Sequence, residues 1–149
     1  MLEKFSNYFK NLYRENLDKK DLEKVKKMVA EFYKIPEKVL DKVKIYYNKL
    51  PEIYKVFIVK IKNLYTMLYV PVGKVLGMYL PDKKEIYLDE KLSYFGKVKT
   101  LFHEYTHAAQ DYLGKLYRNS LEKIEEEARK VSDYLFRIYI LNSRRPSSS

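Results

Sequence analysis

Apolar positions recur at helical spacing toward both ends of the chain and lose that spacing in the middle. Leu22, Val25, Val29, Phe32 and Tyr33 repeat at three- and four-residue intervals behind a cap at Asp18 or Asp21. Residues 1–35 therefore read as helical. Ile35-Pro36-Glu37 breaks that helix, and Pro36 suits the first turn of a second one with Val39, Val43, Tyr46 and Tyr47 as its apolar face. Leu50-Pro51-Glu52 repeats the punctuation. The apolar run 52–69 fits helix or strand; its first half is assigned to helix and its end is left open.

The character changes at Val70-Pro71-Val72-Gly73. Gly73 to Leu80 reads as a strand, Pro81-Asp82-Lys83-Lys84 as a turn, and Glu85-Ile86-Tyr87-Leu88 as the returning strand. A β-hairpin thus precedes a helix over Ser93 to Tyr112. Its broad stripe is Val98, Leu101, Phe102, Tyr105, Ala108, Ala109 and Tyr112, and Gly114 is its C-terminal cap. A last helix carries Leu121, Ile124, Ala128, Val131, Leu135 and Ile138. The expected fold is α+β and helix-rich: a small β-sheet that includes the hairpin, two C-terminal helices, and extra N-terminal helices. The expected organisation is an N-terminal helical region at 1–69, a core at 70–142 and a disordered polar tail at 143–149.

Composition narrows the chemistry. The 149 residues include no cysteine, which excludes disulfides, thiol nucleophiles, cysteine-based zinc sites and iron–sulfur clusters. The N-terminus has charges throughout and no apolar leader core. The most apolar short run, Val56-Phe57-Ile58-Val59, is cut by Lys55 and Lys60, so no membrane span is expected. A soluble, cytoplasmic protein is the expectation. The net charge of +10 draws polyanions non-specifically, but Lys and Glu alternate along most helices and no arginine-rich patch stands out. Abundant Lys, Glu, Tyr and Ile looks like a hyperthermophile's composition, and no specific nucleic-acid partner is expected. A homodimer is compatible with the sequence.

TLFHEYTHAAQD, residues 100–111, holds the chain's two histidines. On a helix His103 and His107 share one face and can offer two imidazole nitrogens to one ion. Glu104, one position round, can act as general base toward a metal-bound water. A catalytic zinc needs a third protein ligand, which here must be Asp or Glu. The run Glu125-Glu126-Glu127 in the last helix supplies candidates. Glu126 points away from the apolar stripe, whereas Glu125 and Glu127 flank it. Glu125 shares its edge with Ala128 and Ser132, small residues that let another helix approach. Glu125 is therefore the expected third ligand, with Glu127 second.

These residues resemble a family. HEYTHAAQD is similar to the active-site helix of thermolysin-type enzymes, HExTH with a carboxylate four residues on, here Asp111. A glutamate ligand on a following helix marks the gluzincin metallopeptidases. In them a small residue often stands three positions after that glutamate, as Ala128 does after Glu125. The short chain resembles the archaeal minigluzincins, similar to catalytic domains of CaaX-type membrane endopeptidases. The resemblance covers residues 73–133. It implies a zinc metalloendopeptidase acting on a peptide or protein substrate, with one zinc per chain on His103, His107 and Glu125, and Glu104 as the catalytic base. It further implies a latent zymogen in which residues 1–69 act as an inhibitory pro-segment; alternatively those helices complete the core. Gluzincins often carry Asp four residues after the ligand glutamate, where this chain has Arg129. Support for the histidines is then expected from Asp111, Ser132 or Asp133. Tyr112, Tyr117 and Tyr134 are equal candidates for an oxyanion donor, and the strand before Pro81 is a candidate edge for substrate. Two other readings are a structural zinc module and a basic nucleic-acid-associated protein.

Overall fold

The computed structural model describes residues 16–144. Helix α1 (Lys19–Tyr33) opens on a reciprocal box: Asp18 accepts from the Asp21 amide at 2.9 Å, and Asp21 accepts from the Asp18 amide at 3.0 Å. Lys34, in the left-handed region, ends it. A short α2 (Glu37–Asp41) follows, then strand β1 (Lys44–Asn48). Strands β2 (Glu52–Ile61) and β3 (Leu64–Lys74) form a long hairpin of their own. Strands β4 (Gly77–Leu80) and β5 (Glu85–Asp89) then lead into α3 (Tyr94–Tyr112), α4 (Lys115–Arg118) and α5 (Leu121–Arg144).

β1, β5 and β4 form a three-stranded sheet in that order, with β1 parallel and β4 antiparallel to the central β5. The expected hairpin before the histidine helix is present as β4–β5, although its first strand starts at Gly77 rather than Gly73. Helix α3 lies at the centre, against α5, α1, α2 and the sheet. Val25 and Val29 of α1, Leu40 of α2, Ile86 and Leu88 of β5, and Val98, Leu101 and Phe102 of α3 are completely buried there.

Four sequence expectations differ from the structure. The second helix ends at Asp41, so Val43 falls beyond it and Tyr46 and Tyr47 lie in β1 instead of on a helix face. Their alternating burial and their pairing with β5 show that a non-local ladder decided the conformation. The run 52–69 is strand throughout, apart from the Lys62–Asn63 turn. β-branched and aromatic residues dominate it, and both faces carry apolar side chains, so neither period is visible in the sequence. The division at residue 70 falls inside β3. Helix α5 continues through Arg144, into the segment expected as tail. Residues 1–15 of the expected first helix and residues 145–149 lie outside the described residues.

Buried polar groups join the early and late halves. Asp21 of α1 accepts hydrogen bonds from Tyr94 Oη of α3 at 2.7 Å and Tyr139 Oη of α5 at 3.1 Å. Asp89, at the end of β5, accepts from the Leu50 amide at 3.1 Å and pairs with Lys74 at 2.9 Å, fixing both ends of the β2–β3 hairpin. Burial opposes ionisation of Asp89. Lys74 and the Lys91 and Leu50 amides outweigh it and hold its carboxyl below the usual range. The stability Asp89 contributes is therefore present above its unfolded-state pKa and lost as pH falls through the folded value. Asp89→Asn is expected to cost about 2 kcal/mol at neutral pH. The gap from wild type should close in strongly acidic solution, as urea titrations at the two pH values would show.

Candidate metal centre

The centre is built on two helices. Ser93 caps α3, its Oγ accepting from the Gly96 amide at 3.1 Å. The apolar stripe behind it seats α3 in the core, which fixes the rotation at which His103 and His107 emerge. Their Nε2 atoms lie 3.2 Å apart. Helix α5 packs along α3 with Ala128 and Ser132 buried at the contact, so the backbones approach closely. That approach delivers Glu125: Oε2 lies 3.1 Å from His103 Nε2 and Oε1 lies 3.0 Å from His107 Nε2. Among the described residues this is the one group of three His, Asp or Glu side chains poised around a common point.

The hydrogen bonds behind His107 decide which of its nitrogens faces that point. Gln110 Nε2 donates to Glu127 Oε2 at 2.6 Å and to the Ile124 carbonyl at 3.1 Å. Flipping the amide would set its oxygen against two acceptors, so Gln110 Oε1 must be the atom at 2.8 Å from His107 Nδ1. It accepts, so Nδ1 carries the proton and Nε2 presents a lone pair. Glu127 also receives Lys115 Nζ at 2.9 Å and Tyr33 Oη at 3.2 Å. Burial works against the ionised Glu127, but Gln110, Lys115 and Tyr33 hold its carboxyl below the ordinary range. An anionic carboxylate thus reaches His107 through one amide, and the phenol that braces it comes from α1.

His103 is held below its ordinary pKa, first by burial and then by His107, with Glu125 opposing. The point between the helices therefore faces the Nε2 lone pair of His107, a His103 imidazole whose protonation burial opposes, and the Glu125 side chain. The Nε2 atoms of His103 and His107 and the Glu125 carboxylate oxygens stand 3.0–3.2 Å from one another around that point. A tetrahedral ion with bonds of about 2.0–2.1 Å sets its ligand atoms roughly 3.3 Å apart. The residues present fit a divalent metal of that kind.

Glu104 follows His103 on α3 and is only 5% exposed. Burial first, and then the Glu125 carboxylate, push its carboxyl up to about 8. A dication at the three donors would favour the ionised form again. Strand β4 passes directly over this turn of α3. A Cβ on Gly77 would meet Thr100 Cγ2 at 2.5 Å and Glu104 Cγ at 3.3 Å, so only glycine allows that approach.

The structure brings His103, His107 and Glu125 together, buries Glu104 next to His103 along α3, and sets Glu127 behind His107 through Gln110. The expected supports stand elsewhere. Asp111 accepts from Tyr79 Oη at 2.7 Å and pairs with Lys84, tying α3 to the β4–β5 hairpin. Ser132 donates to the Arg129 carbonyl and Asp133 pairs with Lys99. The histidine support is Gln110, which the sequence reading missed. One signal was available: it is the chain's single glutamine and stands one helical turn after His107. Tyr112, Tyr117 and Tyr134 are all more than half exposed, and the geometry singles out none of them.

Compared with protein-family models, curated proteins and solved structures, the chain matches none.

Replacing Gln110 with Leu removes the acceptor for His107 Nδ1 and leaves Glu127 short of a donor. Apparent zinc affinity is expected to fall about 10- to 100-fold, read by competition with a chromogenic chelator, while helix content stays unchanged.

Proposed function

We propose that this chain is a zinc-dependent metallopeptidase of the gluzincin type, acting on peptide bonds of a protein substrate. One observation carries the reading: two imidazoles and a carboxylate converge on one point, and the residue that follows His103, Glu104, is a buried carboxyl that feels the charge of Glu125. A purely structural metal centre gives such a carboxyl no role.

His103, His107 and Glu125 would hold the metal. Zinc there supplies Lewis-acid chemistry, polarising a carbonyl and lowering the pKa of a water molecule. Glu104 takes the proton of the attacking water and passes it to the leaving amine. Its low exposure keeps competing solvent away from that proton. The His107–Gln110–Glu127 chain holds one imidazole in the tautomer that leaves Nε2 free. Strand β4 is an edge of its sheet and runs over the Glu104 turn, so an extended peptide can add to it as a further strand.

The side chains of His103 and Glu125 are 22% and 44% exposed, so the described residues leave a way in from solvent. α1 supplies Tyr33 to the Glu127 cluster and Asp21 to the core, which supports a structural part for residues 19–33. A latent form remains part of the proposal. It is tested by whether limited proteolysis raises activity.

The decisive variant is Glu104→Gln. It should keep metal binding and fold while lowering the rate on an unfolded protein substrate such as casein by at least about 100-fold, the low end of a general-base contribution. Unchanged activity in that variant, or no zinc-dependent activity in wild type, would remove the enzyme reading.

A further inference from the structure

The β2–β3 hairpin has no role in the centre just described. Residues 52–74 form a two-stranded sheet separate from the central one. An isolated two-stranded ribbon is marginal in water and normally needs an apolar face covered by something. Here most of the described apolar side chains are in the open. Val56 and Ile58 of β2 and their cross-strand partners Tyr69 and Met67 of β3 lie on one face, next to the Lys60–Tyr65 pair. Ile58 is 74% exposed, Tyr65 71%, Met67 62%, Tyr69 60% and Val56 51%. Phe57 and Leu64, on the opposite face, are exposed as well. Scattered exposed apolar residues are ordinary, but an unbroken row along one face marks a surface with a partner.

Charge says which partner. From residue 53 to residue 73 the chain holds Lys55, Lys60 and Lys62 and no Asp or Glu. Lys60 Nζ lies 5.7 Å from the centre of the Tyr65 ring, and Lys55 Nζ lies 5.6 Å from that of Phe57. The ammonium groups ride at the rim of the apolar surface. A second copy of this ribbon would set lysine against lysine, with Glu52 at the ribbon's open end as its one carboxylate. A nucleic acid would satisfy the lysines and stack on the tyrosines, but would leave Ile58, Val56 and Met67 facing phosphate and water. An anionic lipid surface meets both demands, taking aliphatic side chains at the acyl boundary and lysines among the headgroups, with tyrosines at the level between.

Backbone chemistry limits how deep the ribbon can go. The outer edges of β2 and β3 pair with no strand of the described residues, and unsatisfied amides are not tolerated in hydrocarbon. No helix of the described residues is long and apolar enough to cross a membrane. We propose that the β2–β3 ribbon docks the protein on an anionic lipid surface. It lies flat in the interface, with Val56, Ile58, Met67 and Tyr69 facing the acyl chains and Lys60 and Lys62 on the headgroup phosphates. This inference is independent of the peptidase reading.

The test is sedimentation of the full chain with phosphatidylcholine vesicles, with and without one part in three of phosphatidylglycerol. Binding should appear only with the anionic lipid. A protein of net charge +10 will adhere weakly to any anionic surface, so the variants decide. Ile58→Ser with Met67→Ser preserves charge and should weaken binding at least tenfold. Lys60→Gln with Lys62→Gln should weaken it about 30-fold, at roughly 1 kcal/mol per lysine. Lys38→Gln with Lys42→Gln, an equal charge loss at exposed positions outside the ribbon, should change it little. All changes are at exposed positions, and circular dichroism checks the fold. Equal binding by the serine variant and wild type would overturn the proposal. So would dimerisation that the serine variant abolishes while vesicles are ignored, or loss in that variant of DNA binding alone.

Discussion

The close packing of α5 along α3 is the contact on which the centre depends. Each helix alone carries an incomplete set: two imidazoles on one, a carboxylate on the other. Buried Ala128 and Ser132 at the contact let the backbones come near enough for Glu125 to reach both imidazoles within 3.1 Å. A bulkier residue at either place would push the carboxylate away and leave a histidine pair, too few ligands for a catalytic zinc.

What surrounds the centre sets its protonation. Gln110 converts the charge of Glu127 into a hydrogen-bond acceptor aimed at His107, and it does so without placing a second carboxylate beside the two histidines. A carboxylate directly on the imidazole would strengthen its basicity more; an amide transmits less charge and fixes the tautomer equally well. Glu127 is neutralised in turn by Lys115 and braced by Tyr33, so the support extends from α3 through α5 to α1. Asp111, which lies where a carboxylate is expected to help the histidines, instead anchors the β4–β5 hairpin through Tyr79 and Lys84. Together with Gly77 it holds β4 against the Glu104 turn.

The elements legible in the sequence were those with a long period or a strong local signal. Helix α3 had both a capping serine and a broad stripe. Glu125 could be picked from Glu126 and Glu127 because its edge carried small residues. The β4–β5 turn was legible from Pro81 and its polar neighbours. The strands that were missed lacked such signals. In β1 a five-residue run was read as the tail of α2, and only its pairing with β5, some 40 positions on, makes it strand. In β2–β3 the turn places Lys62, not glycine, at the left-handed position, so the usual hairpin signature was absent. Gln110 was overlooked because its role depends on Glu127, which another helix supplies.

The central claim is that His103, His107 and Glu125 together bind one metal ion. It is tested most directly by zinc content per chain, measured by elemental analysis on wild type, Glu125→Ala and Glu127→Ala purified side by side without added metal. The structure predicts near one zinc per chain in wild type, a clear loss in Glu125→Ala, and metal retained in Glu127→Ala. Full zinc in Glu125→Ala, or none in wild type even after zinc is supplied, would contradict it.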